Sequence, residues 1–419
     1  AGCIGCICKN GQKGSAFTSH GFLSADGQFL NDFFDIDYVA HEIGHQFGAY
    51  HTFAYNNEGT GSNVEPGSGS TIMGYAGITG PDDVQEHSDP YFNFKSIENI
   101  SDYISTESCY TSTELINNPP VADAGTNFTL PKETAYELIA SGYDLDNDQL
   151  TYCWEQIDSG SMTGSEFGPS NYTGVTARSL PPSLSPLRSI PNLNSVLIGE
   201  LTQINPSTGS AWETVPNVAR ELNWGLTVRD RAPTSVGLGG QSSTDSMTIL
   251  ITTNAGPFKV TSQSEDENIW RTGDKVAIQW DVANTDLEPI NTKEVSILLS
   301  MDAGQNFNTI ISDSTPNDGE HIFRVPNGWI SGNARIKIVP KNSIYYSINK
   351  NPINIIQRPF AVLFDNFYYD FCESLSETIL FDLGVYETLN DPVLLSVINP
   401  YNDINYSCLL YTSDAADEL

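Results

Sequence analysis

Between Asp35 and Gly48 the apolar residues Ile36, Val39, Ala40, Ile43 and Phe47 recur at helical spacing. Asp35 in front and Gly48 behind suit an N-cap and a C-terminal stop, so the pattern predicts one amphipathic helix. The Gly-, Ser- and Asn-rich stretch from Asn56 to Ser70 reads as loop. A second helix is expected from "SIENISDYIS", capped by Ser96, with Ile97, Ile100 and Ile104 along one face. "NNPP" at 117–120 cannot continue a helix, and the pattern changes there. "QLTYCWEQI", "NWGLTVRD" and "MTILITT" are short runs of β-branched and aromatic residues separated by turn clusters, the signature of β-sandwiches. "NAGPF" at 254–258 and "QRPF" at 357–360 punctuate the rest, with "KVAIQWDV", "EVSILLSM" and "ARIKIVP" as strands between them. The expected units are residues 1–116, 117–253, 254–357 and a partial β unit 358–407. Residues from Ser159 to Pro216, rich in Ser, Pro, Gly and Asn, are expected to form a long surface insertion in the second unit. The third unit has Trp270 and Trp280 for a core of its own and is expected to fold independently. The tail 408–419 fits no element and reads as artefactual.

A length of 419 residues exceeds one compact core, in keeping with several units. A hydrophobic share of 39% supports several modest cores. No apolar run approaches the ~20 residues of a membrane-spanning helix. A net charge of −33 argues against nucleic acid or an anionic membrane surface as a partner and suits an exported protein. The cysteines at 3, 6, 8, 109, 153, 372 and 408 fit one or two disulfides in an oxidising compartment, secreted or at the cell surface. Cys3-x-x-Cys6 has no second pair at zinc-ribbon spacing.

Three of the six histidines fall in "HEIGHQFGAYH". His41 and His45, four apart on the expected helix, share one face. The break at Gly48 lets the chain return, so that His51 reaches the same point. Three neutral imidazoles around one zinc ion leave a position for water, which marks a catalytic rather than a structural site. Glu42, next to His41, is the expected general base for that water.

The sequence H-E-x-x-H-x-x-G-x-x-H, carried by His41, Glu42, His45, Gly48 and His51, resembles the metzincin metallopeptidases, and within them the reprolysin-like (adamalysin-like) peptidases of bacterial exported proteins. "GSTIMGYAG" resembles the family's methionine turn. The resemblance implies that Met73 is an apolar floor under the imidazoles and gives Tyr75 a role beside the metal or the transition-state oxyanion; ordinary packing is the other reading of that tyrosine. "AGCIGCICKNG" resembles the family's edge strand, with Cys8 as its cysteine, where an extended substrate adds as a further strand. The resemblance implies the C-terminal part of an α/β metzincin catalytic domain at 1–116, with the front of that domain absent, followed by all-β immunoglobulin-like sandwiches. "DLDNDQLTYCWEQ" resembles a PKD-type turn and strand, with Trp154 in the core. Asp144, Asp146 and Asp148 alternate as oxygen ligands do in calcium loops, although neither the glycine nor the closing glutamate of an EF-hand follows.

Two functions remain open beside a hydrolase acting on something other than peptides, which the motif does not exclude but the resemblance does not favour. One is a secreted zinc endopeptidase acting on protein or peptide substrates. The other is an adhesive protein binding surface glycans or proteins through its β units, with a vestigial peptidase domain. An intact Glu42 favours the first, because a vestigial site is free to lose its base.

Overall fold

A computed structural model of the chain describes residues 2–18, 23–232 and 239–358, with two paired strands, Phe360–Leu363 and Asp382–Val385. The rest of the expected unit 358–407, the tail 408–419, Cys372 and Cys408 lie outside the described residues. The described chain is mostly β with few helices. None of those helices is long and apolar enough to cross a membrane.

The first helical segment differs from expectation at its start. Phe34–Ala40 is π-helical and runs directly into α1, His41–Gln46, so Asp35 lies inside the first turn and does not cap it. The predicted apolar face also divides. Ile36 and Ala40 pack against the small cluster of Ala49, Ile72 and Met73, whereas Ile43 is 48% exposed. Ile43 is two residues, hence about 200°, from both His41 and His45 on an α-helix, so a helix that buries its histidines turns Ile43 outward. The helix ends before Gly48, whose φ of +97° favours glycine. A Cβ there would also come within 2.6 Å of Tyr103.

Tyr103 belongs to α2, Phe94–Thr106. Its cap is Asn93, whose side chain accepts from the Lys95 amide, and not Ser96, which is buried inside the first turn. Among the described residues at the start, the expected edge strand is not formed. Residues 2–13 are turns closed by the Cys3–Cys6 disulfide, and the amides of Gly5 and Cys6 donate to the carbonyls of His45 and Gln46. Cys8 is bonded to Cys109 beyond α2. Among the described residues up to 116 there are isolated bridges but no strand, so the sheet of the anticipated α/β unit is not found there.

The β part begins with a four-stranded sheet in the order Phe128–Pro131, Ser242–Thr252, Arg220–Asp230, Leu150–Gln156. Its alternation buries Leu222, Trp224, Leu226 and Val228 from one strand and Trp154 from its neighbour. The boundary expected at 254–258 is crossed by strand pairing. Tyr345 and Tyr346 pair with Tyr136 and Ala135, so strands from either side of it share one eight-stranded sheet. One core cluster likewise runs from Trp154 and Trp224 to Trp270, Trp280 and Ile336. Residues 254–357 therefore share their sheet and core with the preceding unit instead of standing alone. "NNPP" is not a free linker either: the Asn117 side chain is buried and donates to Asp230 and to the Gly239 carbonyl.

The stretch 159–216 is only partly surface. Met162, Phe167, Val175 and Trp212 are buried together with Ala54 and Val84 of the first unit. Met162 exchanges backbone hydrogen bonds with this unit, its amide donating to Ala54 and its carbonyl accepting from Gly67. Glu155, fully buried and pushed up to about 7 by its burial, accepts from the Asn93 side chain and the Phe94 amide at the start of α2. Low apparent hydrophobicity misled here because a few large residues (Trp212, Phe167, Met162) make the contact while Ser and Gly build the turns between them. Trp212→Ala is expected to cost about 3–5 kcal/mol, as truncation of a fully buried aromatic does, read as a lowered midpoint in denaturant unfolding followed by circular dichroism.

Candidate metal centre

His41 and His45 project from the buried side of α1, one turn apart. The turn at Gly48 brings back His51, and one ring nitrogen from each histidine lies within 4.8 Å of the others. Each ring is fixed through Nδ1 by an oxygen: His41 by the Ile72 carbonyl at 2.7 Å, His45 by the Ala49 carbonyl at 2.9 Å, and His51 by the Glu58 carboxylate at 2.9 Å. Carbonyls and carboxylates accept only, so each Nδ1 carries a proton and Nε2 is the nitrogen of the neutral ring that can ligate. Nε2 of His45 and Nε2 of His51 face each other at 3.0 Å. Three ring nitrogens gathered within 4.8 Å, each ring backed through Nδ1, make a donor set that fits a metal ion. Three imidazoles and no thiolate suit zinc among the common biological metals. Burial, and next the neighbouring His45, push His41 down to about 3, and burial also lowers His45, so both rings stay neutral as ligands must.

Met73 is fully buried beneath the histidine helix. A Cβ on Gly44 would come 2.5 Å from its sulfur, so the glycine between the two helical histidines is what admits the methionine. The Tyr75 hydroxyl lies 3.0 Å from Nε2 of His51. Burial, with Tyr55 and Glu58 nearby, raises its pKa to about 12, keeping it a hydrogen-bond donor. Glu42 follows His41 on α1, half-buried, and its carboxylate is near enough to act on His45 and Tyr75. Its Oε2 lies where a Cβ on Gly2 would approach to 2.7 Å, so the turn at the chain's start passes directly over it.

Sequence reasoning missed Glu58, since it stands in a stretch read simply as loop. Its signal was modest: one carboxylate in a Gly/Asn-rich return seven residues after the third histidine. Removing such an outer partner typically weakens a metal site by about 10–100-fold. Glu58→Ala is expected at the lower end, about 10-fold, because the pair is partly solvated, with the Glu58 side chain 32% exposed; competition against a chromophoric chelator measures it.

The carboxylates of Asp144, Asp146 and Asp148 also lie together. Their hydrogen bonds stabilise a turn: Asp144 Oδ1 accepts from the amides of Asp146 and Asp148, and Asp146 accepts from the amide and side chain of Asn118. A desolvated, acidic setting raises Asp148. The arrangement accounts for itself as an Asx turn with an interlocking asparagine.

Residues 1–106 match the family described as Metallo-peptidase family M12B, reprolysin-like. The front of the chain is thus similar to metallopeptidases at family level, and the match covers His41, His45, His51 and Met73. No curated protein matches the chain. Among solved structures, the N-terminal two-immunoglobulin-domain module of the Drosophila receptor protein tyrosine phosphatase DLAR overlaps 57% of this chain and 100% of its own at 10% identity, with a TM-score of 0.28. The fibronectin(III)-like modules of CbhA from Clostridium thermocellum overlap 57% of this chain and 94% of their own at 12% identity, with a TM-score of 0.19. At these TM-scores the overlaps carry no conclusion about function.

Proposed function

We propose that the chain is a zinc-dependent endopeptidase that hydrolyses protein or peptide substrates. The observation that carries the reading is the convergence of three histidine ring nitrogens, each ring fixed through Nδ1, inside a segment that matches a metallopeptidase family. His41, His45 and His51 would hold the zinc, which when bound supplies a Lewis acid that polarises a carbonyl and makes water acidic.

The chain's own residues perform the remaining work. Glu42 takes the proton of the attacking water and returns it to the leaving amine, a role that needs a carboxylate beside the first histidine. Tyr75 donates its hydroxyl hydrogen toward developing negative charge on the substrate oxygen, for which a raised pKa is suitable. Met73 supplies the dry floor that keeps the rings in register. The two disulfides among the described residues support the view of an exported protein. The β units, read as immunoglobulin- and PKD-like sandwiches, are proposed as its accessory part; an adhesive protein with a vestigial centre is disfavoured by the intact Glu42 and the well-braced histidines. The test is metal analysis of the purified chain together with cleavage of a generic unfolded protein. About one zinc per chain with cleavage supports the reading, and a metal-free chain that binds a glycan array would replace it.

A further inference from the structure

The segment between the third histidine and the methionine turn holds a fully buried acid. Glu65 is 0% exposed, in the half of "NNEGTGSNVEPGS" where Ser62, Asn63, Val64 and Ser68 are also buried. Its Oε1 accepts from the amides of Ser70 at 3.0 Å and Thr71 at 3.2 Å. Its Oε2 accepts from the hydroxyls of Thr52 and Thr71, both at 2.5 Å. The amide of Glu65 itself donates to the Thr52 carbonyl.

These contacts join two places that matter to the histidines. Thr52 directly follows His51. Thr71 directly precedes Ile72, whose carbonyl fixes His41 through Nδ1, and stands two residues before Met73, which lies against Gly44. One side chain thus spans the returning segment that carries the third histidine and the turn that positions the first. A buried acid costs folding energy unless it is well bonded, and five donors converge on this one, the fifth being the Ser70 hydroxyl at 3.5 Å. None of these hydrogen bonds goes to a ring nitrogen. We propose that Glu65 is a positioning residue for the metal centre, setting the separation of His51 from His41 by clamping Thr52 to Thr71.

The inference rests on the zinc reading above, so the test separates the two. Wild-type full-length protein, Glu65→Ala, Glu65→Gln and Thr71→Val are compared by zinc–chelator competition and by the visible d–d spectrum after cobalt(II) replaces zinc. For Glu65→Ala we expect zinc affinity to fall at least about 10-fold, as for other outer partners of metal ligands, with a changed cobalt spectrum. Glu65→Gln is expected to recover most of both. Its amide oxygen can keep the two backbone donors while its NH2 donates to the threonine hydroxyls, which reverse their roles. Thr71→Val removes one hydroxyl without changing size, so it keeps the question answerable if Glu65→Ala does not fold; a smaller loss of affinity, about threefold, with a shifted cobalt spectrum is expected. Unchanged affinity and spectrum in folded Glu65→Ala, or in Thr71→Val when Glu65→Ala fails to fold, overturns the clamp while leaving the zinc reading intact. Absence of stoichiometric zinc in the wild type overturns the reading itself.

Discussion

Glu42→Gln is expected to lower turnover of an unfolded protein substrate by at least about 100-fold, the low end of what a positioned acid–base group contributes, with zinc content nearly unchanged. Glutamine keeps the size and hydrogen-bonding reach of the side chain but cannot accept the water's proton. The separation of effects follows from position. Glu42 is next to His41 on α1, yet the three ring nitrogens come from His41, His45 and His51 alone. Each Nδ1 is held by Ile72, Ala49 or Glu58, none of which the substitution touches. Steady-state cleavage rates and metal analysis on the same preparation check both halves. Near-normal turnover would assign the proton transfer to another group.

The second large effect is on the metal. His45→Ala is expected to lose most of the bound zinc, because two imidazoles and solvent hold the ion far more weakly than three. His45 stands at the centre of the three: its ring meets both His41 and His51 edge-on, at centroid distances of 4.7 and 4.6 Å. Its removal also frees the Ala49 carbonyl next to the turn at Gly48. Stoichiometric zinc retained in this variant, by metal analysis after gel filtration, would contradict the ligand assignment.

The spacing of the histidines was legible in the sequence because it depends on local geometry. Four residues on a helix and a glycine break are enough to bring His41, His45 and His51 within reach of one ion. The surroundings were less legible, because they are made by distant residues. Nothing local distinguishes Glu58 or Glu65 from other polar residues in a Gly- and Ser-rich stretch; each is defined by a partner that only the fold supplies. The same reason explains the misread insertion. Its composition suggests a solvated loop, yet Trp212 and Met162 are buried against Ala54 and Val84. The cap of α2 shows the point on a small scale. Ser96 and Asn93 are both good capping residues, and what favours Asn93 is Glu155, some sixty residues away, which accepts from its side chain and from the following amide. The strand pattern located the β elements well, because alternation is local, but the sheet that links Tyr136 to Tyr345 joins segments that the sequence separates by a boundary signal.

Zinc held by these histidines is proposed to make the chain a peptidase. The most direct measurement is cleavage of an unfolded protein by the native gene product, stripped of metal and then restored with zinc, with new peptide termini identified by mass spectrometry. Internal cuts are expected to appear with about one equivalent of zinc and to be absent from the stripped protein and from the calcium-restored control. A chain that binds one zinc yet leaves every substrate intact, or one that cuts equally well when stripped, would contradict that proposal.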